Sequence, residues 1–142
     1  GIVLVTGPTG SGKSTTLAAL VEKETAQDAE RPIVAAVYRN RHRIGMGMQA
    51  DPTVIYGLGE SFDGNLKKVH LKTDGPYNTY TRRGLPPTPI AMPGLASLRA
   101  TLQPGKSDAL YYVSRGDGTS EFSRTLEEHN RAVAKYQRGG RP

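Results

Sequence analysis

The stretch LAALVEKET, Leu17–Thr25, decides how the chain is read. At about 100° per residue a helix puts Leu17, Leu20, Val21 and Glu24 on one stripe, while Glu22 points well away from it. A carboxyl group therefore stands where a leucine is expected. Apolar neighbours push a carboxyl toward its neutral form, the state a general acid needs near neutral pH. Geometry alone favours a solvated glutamate at a helix end, since most glutamates are exposed.

Upstream, Ile2-Val3-Leu4-Val5 reads as a short buried strand that stops at a glycine loop. Gly7-Pro-Thr-Gly-Ser-Gly12-Lys13-Ser14 fills every fixed position of a phosphate-binding loop, with a helix starting near Lys13 or Ser14. Such a loop turns backbone N–H groups onto phosphates, with a lysine as point charge and a serine hydroxyl for magnesium. Gly7, Gly12, Lys13 and Ser14 are the candidate nucleotide ligands. The opening, up to Leu20, closely resembles the Walker A segment of secretion and pilus-retraction ATPases. A hydrolase of that class also needs further parallel strands, one ending in an acidic residue that helps hold magnesium. Pro32–Tyr38 runs into Arg39-Asn40 and Leu110–Val113 into Ser114-Arg115, so neither apolar run supplies it.

With 142 residues the chain is one domain's worth, short for a complete P-loop hydrolase. Nineteen Lys and Arg against thirteen Asp and Glu give a net charge of +6, scattered rather than striped. That balance suits an anionic partner but is common, and nothing in it singles out nucleic acid. Cysteine is absent, which excludes disulfides and thiolate metal sites. His42, His70 and His129 are far apart without ligand spacing, so neither a metal nor a cofactor is expected. No segment approaches the roughly 20 apolar residues that cross a bilayer. The start at Gly1 leads us to expect a fragment or an unusual fusion.

Downstream, a helix is expected from Pro32 to Ile44, with Ile33, Val37 and Ile44 on a common face and Gly45 as its stop. Asp51 to Thr88 is rich in Gly, Pro, Asn, Thr and Tyr and reads as a long ordered loop region with short strands such as Thr53-Val-Ile-Tyr56. Leu95, Leu98 and Leu102 mark a short helix. Leu110–Val113 and Glu121–Ser123 flank Arg115-Gly-Asp-Gly118 as a hairpin, and Thr125-Leu-Glu-Glu128 is a capping box opening a last helix. Residues 139–142 form a tail.

From Thr16 onward the words LAALVEKET, ERPIVAAVYRNR, MQADPTVIYGLG, FDGNL, PYNTYTRRGLPPTPIAMPGLASL and YYVSRGDGTSEFSRTLEEHN stand in order. In these stretches and their spacing the chain resembles the catalytic domain of the endolytic murein transglycosylases, the YceG-like family of bacterial cell-wall enzymes. The resemblance implies a lyase with Glu24, the second glutamate of the triplet, as its catalytic residue. That is the residue the helical stripe selects. The implied reaction cleaves peptidoglycan between N-acetylmuramic acid and N-acetylglucosamine and closes a 1,6-anhydro end. The sugar supplies the nucleophile, so neither a second catalytic carboxylate nor a cofactor is implied.

Gln49, Asp51, Tyr77, Asn78 and Tyr80 lie in the matched words and are of the types that grip sugars; turn chemistry and loop packing use the same types. Ala50 stands where a small hydroxyl residue is expected, which would leave a local hydrogen bond unmade. His129-Asn130 is expected as a buried hydrogen-bonding pair, and Arg39 and Arg41 as solvated or facing anionic wall polymer. The implied partners are peptidoglycan glycan strands and cell-wall synthesis proteins. The family's membrane anchor implies the cell envelope, on the outer side of the inner membrane.

The expected architecture is α+β: a Walker A-like strand and loop over residues 1–15, then one YceG-like catalytic domain over residues 16–138 with long loops, a β-hairpin and a C-terminal helix. The join falls within Thr15–Leu20. The rivals are a nucleotide-binding P-loop module and an inert piece in which neither site is complete. Without neighbouring parallel strands the glycine loop is not expected to hold nucleotide, and the helix is expected to start raggedly near Ser14 or Thr15. Calorimetric titration with ATP and magnesium checks this: no micromolar binding is expected, and micromolar binding that disappears in Lys13→Ala would overturn it.

Overall fold

The computed structural model describes residues 11–138; the strand expected at Ile2–Val5, Gly7 of the phosphate loop and the tail lie outside them. Among the described residues, six α-helices and one hairpin make an α+β domain. They are α1 Ser11–Glu24, α2 Arg31–Arg43, α3 Asp51–Leu58, α4 Lys68–Lys72, α5 Leu95–Leu102, strands β1 Tyr111–Ser114 and β2 Ser120–Ser123, and α6 Leu126–Val133, which runs into a π-helical turn at Ala134–Arg138. Helix α1 is not ragged at Ser14. It is continuous from Ser11, so Gly12, Lys13 and Ser14 form helical turns rather than an open loop.

The core is centred on α1, which packs on α2 and α5 and touches α3. Ala18, Ala19, Leu20 and Val21 are wholly buried, and Val34, Ala35 and Tyr38 of α2 share one core cluster with Ala19, Leu20 and Val21. Each fully buried Leu or Val contributes about 1.5–3 kcal/mol. The buried face of α2 is broader than the expected stripe: Tyr38, Asn40 and Arg41 belong to it, whereas Ile44 is exposed. Asn40 earns its burial with two hydrogen bonds, 2.9 Å each, to the carbonyls of Ser107 and Ala109. Arg39 is exposed, as expected, and its Nε and Nη2 also donate to the Thr101 carbonyl and clamp α2 to the end of α5.

Helix α5 forms where the leucines mark it, but they do not make its buried face. Ser97, Ala100 and Thr101 do, while Leu95 and Leu102 are about half exposed. Small side chains let α5 approach α1, which presents Ala18 and Ala19. Thr53–Tyr56, expected as a strand, lies inside α3. Pro52 in the first turn presets the backbone. The Thr53 hydroxyl bonds back to the Ala50 carbonyl at 2.7 Å and pairs with Thr79 Oγ1 at 2.8 Å. Local β-propensity yields to this buried attachment.

The hairpin forms as expected, with Tyr112 opposite Phe122 and Val113 opposite Glu121. Gly116 and Gly118, at φ 88° and 92°, make the turn that other residues resist. The Thr125 side chain caps α6 by accepting from the Glu128 N–H at 3.1 Å. His129 and Asn130 are not a buried pair. His129 stacks on Tyr111 with centroids 5.0 Å apart, and Asn130 is exposed.

The end of α1 is fastened to α5 through Glu22. Its Oε1 accepts from the Gly94 N–H at 2.7 Å and Ser97 Oγ at 2.9 Å and lies 3.3 Å from buried Arg31. The Gly94 N–H is the largest of the influences holding the Glu22 carboxyl below its usual range. A lowered carboxyl pKa contributes stability above the unfolded value, and that stability is lost as pH falls through the folded one. Glu22→Gln, neutral by the helical projection alone, is therefore expected to cost about 1–3 kcal/mol at neutral pH, since hydrogen bonds to a charged group are among the stronger ones. Urea denaturation checks it, and the deficit is expected to close in acid.

Candidate active site

Glu24 is the last residue of α1, two positions beyond Glu22, and it faces the other way. Period-two alternation along β1 sends Tyr111 and Tyr112 to opposite faces. Tyr111 meets His129 and lies under the Arg41 guanidinium, 5.1 Å from its ring centre. Tyr112 reaches inward, donates its hydroxyl to Glu24 Oε2, and lies 2.8 Å from the hydroxyl of Tyr38.

Around Glu24 is a hollow of about 160 Å³. Tyr38, Arg41 and Met48, all buried, form its inner wall, and Gln49, Asp51 and Tyr80 stand toward solvent. Asp51 opens α3 and accepts the Tyr80 hydroxyl. Gln49, at φ 49°, is the one described non-glycine residue with positive φ, held there by its N–H on the Thr79 carbonyl at 3.3 Å. Strain of this kind needs surroundings that fix it, and it aims the residue preceding Ala50 toward the hollow. The Ala50 N–H donates to Thr79 Oγ1 at 2.9 Å.

Burial raises the Glu24 carboxyl above its ordinary value, and the charge of Asp51 raises it further; the bonds from Tyr112 and Tyr38 and the charge of Arg41 oppose this. Burial likewise drives the Tyr38 and Tyr112 hydroxyls well above the usual phenol range, so both are protonated donors. Tyr80 is raised by burial and by its bond to Asp51. Arg41 is buried, not solvated. It donates to the carbonyls of Leu110 at 2.6 Å and Gly47 at 2.8 Å, and no carboxylate pairs with it among the described residues. It thus stitches α2 to the loop carrying Gln49 and to the root of β1.

The expected substrate residues separate into two groups. Gln49, Asp51 and Tyr80 share the hollow with Glu24. Tyr77 and Asn78 line a different cavity, between α3 and α4. Asn78 is buried, with Nδ2 donating to the carbonyls of Leu71 and Thr73 at 3.0 and 2.8 Å and Oδ1 accepting the N–H of Tyr80 at 2.8 Å. Tyr77 bonds to Thr88 Oγ1 at 2.8 Å and packs on Tyr56. Lys13 and Ser14 line a larger cavity of about 530 Å³ with Arg39, His42 and Arg43, but no carboxylate lines it among the described residues. The smaller hollow is the one equipped for proton transfer. No cluster of His, Asp or Glu is set to hold a metal ion among the described residues.

A family model described as YceG-like matches residues 9–135. The chain belongs to the YceG-like family. It is 44% identical over 124 residues to the endolytic murein transglycosylase of Bacillus subtilis (strain 168), covering 87% of this chain and 34% of that protein. The corresponding Streptococcus pneumoniae (strain D39) protein is 32% identical over 127 residues, covering 85% of this chain and 23% of its own length. The crystal structure of a YceG-like protein from Listeria monocytogenes superposes with a TM-score of 0.81 at 42% identity, over 87% of this chain and 40% of that one. The chain thus spans about a third of the length of the first of these curated relatives and about a quarter of the second. The YceG-like match begins at residue 9, inside the segment that resembles an ATPase loop.

Tyr38 and Tyr112 escaped the sequence reading, and Arg41 was expected to be solvated or to face wall polymer rather than to wall the hollow. Val34, Tyr38 and Arg41 stand at i, i+4 and i+7, one helical face, and that spacing was the available signal for two of them.

The raised Glu24 pKa has a sign that can be tested. A carboxyl raised on folding contributes stability that is full below its unfolded value, near 4.5, and is lost as pH climbs through the folded one. Above that, ionised Glu24 opposes folding. Glu24→Gln is therefore expected to melt higher than the parent at neutral pH, with the gap closing toward about pH 4, as thermal denaturation at the two pH values would show.

Proposed function

We propose that this domain is the catalytic part of a peptidoglycan lytic transglycosylase, a lyase that cuts the glycan strand and leaves a 1,6-anhydro-muramyl end. The names of the relatives support the substrate. The observation that carries the reading is a single carboxyl, Glu24, kept toward its neutral form by burial at the back of an open hollow.

In the reaction, protonated Glu24 gives its proton to the oxygen linking N-acetylmuramic acid to N-acetylglucosamine, and the C1–O bond breaks. The resulting carboxylate takes the proton of the muramyl O6 hydroxyl as O6 bonds to C1. One group serves as acid and then as base, and no water is added. Asp51, at the mouth of the hollow, supplies a carboxylate that supports the cationic character developing at C1. Gln49 and Tyr80 offer an amide and a ring face to acetamide and sugar surfaces. Asn78 and Tyr77 serve the reaction from behind, by shaping the loop that presents Tyr80. The domain works at the bacterial cell wall, on glycan strands and beside the proteins that build them. Among the described residues no helix is long and apolar enough to cross a membrane.

Digestion of purified peptidoglycan with mass spectrometry of the products tests the reading. Glu24→Gln is expected to lower cleavage by about 100- to 10,000-fold, the usual contribution of acid–base catalysis. Lys23→Gln, on the exposed side of the same turn, is expected to cleave like the parent. Anhydro-muramyl ends are the expected product. Reducing ends alone, or full activity in Glu24→Gln, would contradict it.

A further inference from the structure

The mechanism so far gives no role to the two hydroxyls behind Glu24. Tyr112 has one proton and directs it to Glu24 Oε2. The 2.8 Å bond between the Tyr38 and Tyr112 hydroxyls could run either way on its own geometry. Both hydroxyls also bond the Glu24 carboxyl, so each phenol proton has an acceptor in that carboxyl or in the other phenol. Tyr38 is 3% exposed, and a donor left without a partner at such a depth is strongly disfavoured.

We propose that Tyr112, backed by Tyr38, is a positioning pair that fixes the orientation of the Glu24 carboxyl, with Oε2 held by the Tyr112 hydroxyl. This rests on Glu24 being the acid and base. The pair holds the carboxyl in place while its proton passes to the glycosidic oxygen as C1–O breaks and the O6 proton returns to it as C1–O6 forms, a cycle with no net proton uptake. Tyr112 and Tyr38 do not touch the sugar.

The groups facing Glu24 are Tyr112 from β1, Tyr38 and Arg41 from α2, Asp51 from α3, and Tyr80 from the loop after α4. Tyr112 and Arg41 favour the ionised form and Asp51 opposes it, so deleting one donor has a defined direction. Tyr112→Phe retains the ring contacts with Tyr38 and Phe122, at 6.2 and 5.7 Å, and removes only the donor.

The test is a carbon-13 NMR titration of the Glu24 carboxyl in the parent, Tyr112→Phe and Tyr38→Phe, beside peptidoglycan digestion across pH. In Tyr112→Phe the Glu24 midpoint is expected to move to higher pH and the alkaline limb of activity with it. At the optimum kcat falls about 10- to 100-fold, as for a misplaced catalytic group, with KM retained. Tyr38→Phe, which removes the lesser of the two hydroxyl bonds to Glu24, is expected to shift the midpoint the same way by less. An unmoved midpoint in Tyr112→Phe, or a loss carried wholly by KM, overturns the pairing. The titration reads Glu24 without catalysis, and Tyr38→Phe decides the matter should Tyr112→Phe not fold. Full activity in Glu24→Gln would sink the functional reading instead, whatever the midpoints do.

Discussion

The last turn of α1 is pulled in two directions, and the site depends on it. Helix α1 lies in the core with Ala18 to Val21 wholly buried, so it cannot turn about its axis without opening contacts with α2 and α5. Glu22 locks one side of that turn to the start of α5 and to Arg31. Glu24, two residues on, is thereby delivered to β1 and Tyr112. Moving one glutamate would displace the other.

The same turn separates two carboxyls by environment. Glu22 faces N–H, hydroxyl and guanidinium donors and is driven toward ionisation. Glu24 is desolvated, beside the charge of Asp51, and is driven toward protonation. Titratable neighbours pushed apart in this way mark a division between scaffold and chemistry. Arg41 contributes from the opposite wall. It is a buried cation whose bonds go to the carbonyls of Gly47 and Leu110, so it ties the Gln49 loop to the hairpin while moderating the field at Glu24.

Local pattern was enough to read the parts of the fold whose signals are local. The hairpin glycines, the Thr125 cap and the Leu17–Glu24 stripe all act within a few residues, and each stands in the structure. What depends on distant partners was not readable. Thr53–Tyr56 is β-branched and aromatic, yet Thr53 is bound to Ala50 and Thr79, and a helix results. Leu95 and Leu102 of α5 face outward because close approach to α1 favours Ser97 and Ala100 there. In the site, Glu24, Gln49, Asp51 and Tyr80 come together from words read as matched motifs. Asn78 and Tyr77 are of the same chemical types but turn to the loop itself, and residue type alone does not separate the two uses. Tyr112 and Tyr38 could not be paired from sequence, since 74 positions divide them.

The central claim is that glycan lies across the hollow with its scissile oxygen against Glu24. A crystal structure of the Glu24→Gln protein soaked with an uncleaved peptidoglycan glycan fragment tests it most directly. The account predicts sugar density between residue 24 and the Gln49, Asp51 and Tyr80 side chains, with the glycosidic oxygen within hydrogen-bonding distance of the residue 24 side chain. Glycan bound instead in the larger cavity beside Lys13, Ser14 and Arg43, with the Glu24 hollow empty, would contradict it.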